Sequence, residues 1–470
     1  MRQSMMKAAS AGTIGALLEW YDFYIFATAS AMVFGQLFFP GGDAVAGTMS
    51  SFGAFAAGFV SRPLGGVLFG HIGDTMGRKV SLILTLLIVG IGTCLIGVLP
   101  TYRQIGGWAP LALVILRVVQ GIGLGGEYGG ASLIAIEHAP RPERSFWGSL
   151  TQAASPGGLL LAAGMFGLVS LLPQDAFLAW GWRVPFLAGA PMLIIGLFIR
   201  LRVAEPPELR RSKRTQQAEA PAARLLRTHL RNVMLATGAR LVETVSGNMI
   251  KSFGLAYVTL HLKLPKETAL TALIVTAAIG VVVTPLYGAL GDRVGQQRVY
   301  LVASALVGVL ALPFFLLLDA RMAATTWLGF VLAYNLGPTP LLSVQPSLFT
   351  RMFDADVRYT GMSVAYQVSA IAGGVTPLVS LWLLRQSGTQ SARWLVIAAA
   401  APVAFAFDTF EGHLRVAADA ILKQQSQAQS PSYALEFIRT DDLVRPVLHL
   451  RSVIDALGAS DAAKSGFTKE

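Results

Sequence analysis

Apolar runs of about 20 residues, the length that crosses a bilayer core as a helix, recur along this chain almost from end to end. Nothing else in the sequence restricts the fold so tightly. In lipid the backbone must satisfy its own polar groups, so each run is either a helix or part of a closed barrel. Barrel strands alternate polar and apolar residues, and these runs do not. Charged residues make up only 13% of the chain and hydrophobic ones 54%. A soluble protein of this length needs near a quarter charged residues to cover its surface. The expected fold is an all-α polytopic membrane protein.

Hydropathy places about twelve spans, near 11–38, 48–70, 80–99, 109–136, 147–171, 183–203, 232–260, 268–290, 298–318, 325–349, 359–384 and 392–407. Between the sixth and seventh lies a polar stretch carrying Arg210, Arg211, Lys213, Arg214, Arg224, Arg227 and Arg231. The chain therefore divides into an N-terminal six-helix bundle (1–203), a basic linker (204–231), a C-terminal six-helix bundle (232–407) and a polar tail (408–470). The tail, including "ILKQQSQAQSPSYALEF", reads as a disordered or weakly helical appendage, with a regulatory role as the alternative. The basic N-terminus leads into an apolar stretch too long for a cleaved signal peptide, so the first span is expected to stay. The single cysteine, Cys94, excludes an internal disulfide and a cysteine-based metal site.

The formal net charge of +11 falls on loops of one side. With the N-terminus inside, the inward loops hold Arg78, Lys79, Arg141, Arg144, the linker cluster, Arg293, Arg298, Arg351 and Arg358. The outward loops hold little beyond Arg103, Lys263, Lys266, Arg321 and Arg385. That bias places both termini in the cytoplasm. The basic charge needs no nucleic acid, and no nucleic-acid motif is present.

A repeat joins the halves. "GHIGDTMGRK" follows span two and "GALGDRVGQQR" follows span eight, both fitting G-x-x-G-D-x-x-G at equivalent topological positions. Repeated halves with a site between them are a common transporter design.

Charges also stand inside the spans. Glu19 and Asp22 share a helix side in "LLEWYDFYIF"; Arg62 lies in span two, Arg117 and Glu127 in span four, and Arg240, Glu243 and Lys251 in span seven. Each costs roughly 2.5–3.5 kcal/mol at a bilayer centre, so each must face a partner or a wet cavity. Arg240 and Glu243 are spaced to satisfy each other, whereas Lys251 could snorkel outward. Candidates to line a substrate cavity are Tyr21, Arg62, Arg117, Gln120, Glu127 and Lys251. Glu127 reads equally well as a packing residue. A carboxylate beside an arginine stays ionised and takes a proton when separated from it in a dry site. Asp22 and Glu19 could couple protons in this way or serve as static pairs that order the helices. The glycines of "GIGLGGEYGG" suit close helix approach.

The loops resemble the G-x-x-x-D-R/K-x-G-R/K-R/K signature of the major facilitator superfamily. Gly70, Asp74, Gly77, Arg78 and Lys79 match in the first half, with Thr75 in place of a basic residue. In the second half Gly288, Asp292, Arg293 and Gly295 match, and Gln296 and Gln297 do not. Arg117, Gln120, Gly121 and Gly123 resemble its R-x-x-Q-G-x-G motif. The blocks "EWYDFYIF", "SRPLGGVLFGHIGD", "GGEYGGASLIAIEHAP", "WGWRVPFLAG" and "VRYTGMSVAYQ" are similar to the metabolite:proton symporters over roughly residues 10–407. The last span and the tail depart from that pattern.

The resemblance implies uptake of a small metabolite, such as a carboxylate, shikimate, proline or a betaine, together with protons. Against a membrane enzyme or sensor, the sequence offers no metal cluster, no nucleophile with a nearby base, no nucleotide loop and no output domain beyond the short tail. The chain is therefore expected to be no enzyme, to use no cofactor beyond the coupling proton, and to act in contact with membrane lipid as a monomer. The resemblance also implies that Asp22 pairs with Arg117 for proton coupling. The loop residues, Asp74 and Arg78 above all, become a gate latch in which the aspartate bridges to Arg78 or to a neighbouring helix N-terminus. The rivals are a proton-driven exporter, for which "AASPGGLL" around Pro156 is only a partial signature, and a symporter of zwitterions.

Overall fold

The computed structural model describes residues 2–76, 78–125, 136, 139–202, 229–353 and 357–387, all within one compact unit, Met1–Asp408. The expected twelfth span, the tail, nearly all of the linker, Gly77, Glu127 and His138 lie outside the described residues.

Eleven spans are seen among the described residues, all helical. We label the main helices α1 (Arg2–Met32), α2 (Ala44–Val60), α3 (Arg62–Thr75), α4 (Arg78–Val98) and α5 (Trp108–Gly125). α6 (Arg144–Gln152), α7 (Ala154–Ser170) and α8 (Gly189–Arg202) complete the first half. The second half holds α9 (Leu230–Asn248), α10 (Lys266–Val294), α11 (Gln296–Asp319), α12 (Ala323–Leu336), α13 (Pro338–Phe349) and α14 (Arg358–Ser387). Seven of the helical stretches are long and apolar enough to cross a membrane on length and composition alone. Spans two, seven and ten are broken in the middle.

The breaks have identifiable causes. Span two is interrupted at Ser61, whose hydroxyl donates to the carbonyls of Gly58 and Val118, both at 3.0 Å. Pro63 follows and has no N–H to continue the ladder. Span ten, expected as one helix, divides at Gly337 (φ −101°, ψ −90°) into α12 and α13. Pro338 cannot donate to the Tyr334 carbonyl, and the Thr339 hydroxyl does so instead at 3.0 Å. In span seven α9 gives way to two π turns, Met249–Phe253 and Tyr257–His261, around Gly254–Ala256. Such turns are rare and gather at functional sites.

Spans two and four touch backbone to backbone. A Cβ on Gly121 would overlap the Gly58 carbonyl and the Ser61 hydroxyl, one on Gly65 the Ile122 carbonyl, and one on Gly125 the Arg62 carbonyl. Small residues at such seams let helices pack in lipid, where no hydrophobic force drives them together. Gly121→Val should push the two helices apart. We expect loss of a monodisperse peak in detergent size exclusion, whereas Gly164→Ala, with nothing within 4 Å of its added methyl, should leave it intact.

The two halves meet at both ends of the spans. At the end carrying the G-x-x-G-D loops, the hydroxyls of Ser145 (α6) and Ser347 (α13) lie 2.7 Å apart. At the other end Arg385 pairs with Asp43 at 3.2 Å, and Lys266 donates to Gln174 at 3.1 Å. Between these contacts Tyr24, Arg62, Lys251 and Tyr334 are buried. The described residues thus form an occluded arrangement.

Candidate transport site

Asp22, on the first span and only 5% exposed, is the centre of a polar knot among apolar helices. Its carboxylate stands 3.9 Å from the Arg117 guanidinium. The Gln120 side-chain amide donates to its two oxygens at 3.3 and 3.4 Å, and the Thr93 hydroxyl donates to it as well. Gln120 also takes a hydrogen bond from Arg117 at 3.3 Å and gives one to Thr93 at 2.9 Å. Arg117 and Gln120 are three apart on α5 and so share a face. Glycines make the room: a Cβ on Gly58 would sit 2.7 Å from Arg117, and one on Gly92 would sit 2.7 Å from Gln120. The Arg117 guanidinium lies 4.4 Å from the centroid of Phe26, and its Nε has no hydrogen-bond partner. The expected Asp22–Arg117 pair is present. Gln120, expected to line a substrate cavity, is committed to this knot.

Arg62 is differently placed. It is 9% exposed, its guanidinium lies 4.3 Å from the Phe59 ring centroid, and its Nε is buried without a partner. Among the described residues it has no ion pair within 4.0 Å. The Glu19 and Asp22 carboxylates act on it only from beyond that distance, and a buried guanidinium so placed is costly unless something anionic visits it.

Lys251 does not snorkel. It is 6% exposed and points inward from the first π turn. Its ammonium donates to the Tyr24 hydroxyl at 2.8 Å and to the Tyr334 hydroxyl at 3.4 Å. The Tyr24 hydroxyl lies 2.8 Å from that of Ser155. Lys251 turns inward, not outward as expected, because it lies midway along span seven, too far from either surface for its stem, and two phenols accept its protons. The cluster links spans one and five of the first half to spans seven and ten of the second. Tyr24, Tyr334, Ser155 and Thr93 were not singled out from sequence, because phenols and hydroxyls in apolar helices look like core. Tyr24 alone had a signal, one turn from Trp20 in the same charged stretch.

The remaining candidates separate by position. The Tyr21 hydroxyl donates to the Pro185 carbonyl at 2.6 Å, which leaves Tyr24 as the phenol that reaches Lys251. Arg240 and Glu243 pair at 3.6 Å, and Arg240 stacks 3.4 Å from the centroid of Tyr366. Glu19 is partly buried one turn before Asp22. Glu127 is outside the described residues, and so are the side chains of Gly70, Asp74, Arg78 and Lys79, although α3 and α4 flank that loop.

In the second repeat the loop aspartate is visible. Asp292 accepts from the backbone N–H groups of Ser145 at 2.9 Å and Phe146 at 2.8 Å, the first turn of α6. A carboxylate there meets the positive end of the helix dipole. Gly288 lets α10 approach, since its Cβ would overlap the Ser149 hydroxyl. Arg293 beside it is exposed. Asp292→Asn keeps one acceptor and loses the charge, removing about 1.5–3 kcal/mol from this contact. We expect at least a tenfold faster alkylation of a cysteine placed at Ser347, with ligand affinity little changed.

Two helical halves closing at both ends over buried cations and a buried carboxylate define a membrane transporter. The chain belongs to the Major Facilitator Superfamily, whose family model matches residues 12–377. It is 37% identical over 385 residues to the shikimate transporter of Escherichia coli K12, covering 80% of this chain and 87% of that one. It is 38% identical over 395 residues to the inner membrane metabolite transport protein YhjE of the same organism, covering 82% and 89%. To the proline/betaine transporter of that organism it is 32% identical over 396 residues, covering 82% and 78%. Among solved structures, the proton:xylose symporter XylE matches with a TM-score of 0.67 at 17% identity, over 86% of this chain and 95% of that one, which shows a shared fold.

Proposed function

We propose that this transporter carries a small carboxylate into the cell together with protons, by alternating access across the cytoplasmic membrane, as a monomer. The observation that carries the reading is Arg62, a buried guanidinium with no ion pair among the described residues, beside a separate and already paired Asp22 and Arg117. A guanidinium can hold a carboxylate through two parallel hydrogen bonds. Lys251, held by phenols from both halves, supplies a second cation that a substrate can use to draw the halves together. The proton is the only coupling species in this scheme. It occupies Asp22 when Arg117 moves away and leaves when the pair re-forms. Both termini and the G-x-x-G-D loops face the cytoplasm, on the strength of the basic loops, and Asp292 and its counterpart Asp74 latch that face. The relatives named for shikimate and for metabolite transport support the substrate class.

One observation favours a zwitterion instead. A methyl on Gly247 would stand 3.6 Å from the Lys251 ammonium and 3.7 Å from a Glu243 carboxylate oxygen, so opposite charges flank one small gap. The proline/betaine relative fits that chemistry. Competition for uptake between carboxylates (shikimate, succinate, acetate) and zwitterions (proline, glycine betaine) decides. Inhibition by carboxylates is expected; inhibition by zwitterions alone rejects the proposal. Accumulation only in inside-out vesicles would assign export.

A further inference from the structure

One crevice in the first half is not used by the proposed substrate site. It is a crevice between spans one, three and six, with Leu18, Glu19, Tyr21 and Asp22 on one wall and Thr93 and Met192 on the others. Both carboxylates of the first span therefore reach one space. Glu19 is the more exposed of the two and lies nearer the N-terminal end of the helix. Small residues keep the crevice open: Gly189 is part of its wall, and a methyl there would come within 3.2 Å of the Thr93 side chain.

Toward Arg62 the situation is the reverse. Phe23, Phe55 and Phe59 pack with ring centroids 5.1 to 5.4 Å apart, and Arg62 lies on this wall at Phe59. Phe26 stacks on Phe55 and carries Arg117. Arg62 and Arg117 thus both lie on one aromatic cluster, and Asp22 lines the crevice whereas Arg62 does not. The charged and titratable groups around Asp22 are Arg117 from span four, Arg62 from span two, Cys94 from span three, and Glu19 and Tyr21 from its own helix. Span six brings Met192 and Leu193 to the crevice, both without charge.

We propose that protons travel between Asp22 and the N-terminal face through this crevice by way of Glu19, while the substrate binds between the halves at Arg62 and Lys251. The inference rests on Asp22 being the coupling carboxyl. In the release step the O–H bond of protonated Asp22 breaks as one forms on the Glu19 carboxylate. Asp22 is left ionised to re-pair with Arg117, and Glu19 passes the proton to solvent water.

The test uses the full chain in liposomes, with the best carboxylate competitor from the panel above as probe. Gly189→Val narrows the crevice without touching Arg62 or Lys251. Counterflow exchange, which moves no net proton, should stay within about twofold of the unaltered protein, while uphill uptake driven by a pH gradient slows at least tenfold. Glu19→Gln should likewise slow uphill uptake at least tenfold. If Gly189→Val is misfolded, Met192→Phe provides the same narrowing. Independently, Met192→Cys in a Cys94→Ala background should react with a small water-soluble methanethiosulfonate at a rate unchanged by saturating probe. Normal uphill uptake in the narrowed variants, or an unreactive or probe-protected Met192→Cys, overturns the crevice route. Asp22→Asn separates the two ideas. If it loses uphill uptake while the narrowed variants keep it, only the route fails; if it keeps uphill uptake, the coupling assignment fails.

Discussion

Replacing Asp22 by asparagine is expected to abolish accumulation against a gradient while leaving exchange of labelled for unlabelled substrate. Asparagine is close to the shape of a protonated aspartate, and its carbonyl can still accept from Thr93 and Gln120, which both donate to Asp22. What it cannot do is gain or lose a proton. If one proton enters with one monocarboxylate, no net charge moves, and the driving force is the pH difference, worth about 1.4 kcal/mol or tenfold per unit. With the outside one pH unit more acidic, accumulation should fall from about tenfold to none. Arg117 loses its counter-charge, and breaking a buried pair costs roughly 3–5 kcal/mol. Its contacts with Phe26 and Gln120 offset part of that, so retained exchange is the control for folding. Normal accumulation by Asp22→Asn would remove Asp22 from the coupling mechanism.

The second large effect concerns Arg62. Lysine keeps the charge but has neither the planar fork nor the face that lies on Phe59. Arg62→Lys should weaken a carboxylate substrate by about 1–3 kcal/mol, roughly five- to 150-fold in affinity. Proton coupling should persist, because the Asp22–Arg117 pair is untouched. Direct binding by calorimetry reads the first quantity, and accumulation at saturating substrate reads the second. Unchanged affinity for carboxylates would place the anion site elsewhere, with Lys251 as the next candidate.

The helical architecture was legible because a span must be apolar over its full length, a signal that survives without any knowledge of contacts. Asp22, Arg62 and Arg117 were legible for the complementary reason, since a charge in such a run is expensive and so conspicuous. Lys251 was conspicuous too, but its direction depends on Tyr24 and Tyr334, which come from spans far apart in sequence. The break at Gly337 was missed because a glycine followed by proline inside an apolar run looks like a tolerated interruption. The crevice beside Asp22 was not legible at all. It arises from small residues on three helices, and no single stretch carries its outline.

The glycine seam between spans two and four has a consequence for leakage. Gly58, Gly65, Gly121 and Gly125 press the two backbones together, so Arg62 and Arg117 ride on one stiff plate. On the proposed roles, a bend between these helices that separates Arg62 from Arg117 would have to break these backbone contacts. Slippage, in which protons cross without cargo, then requires the plate itself to yield. Tight coupling in the proposed cycle would thus rest on four residues that have no side chains.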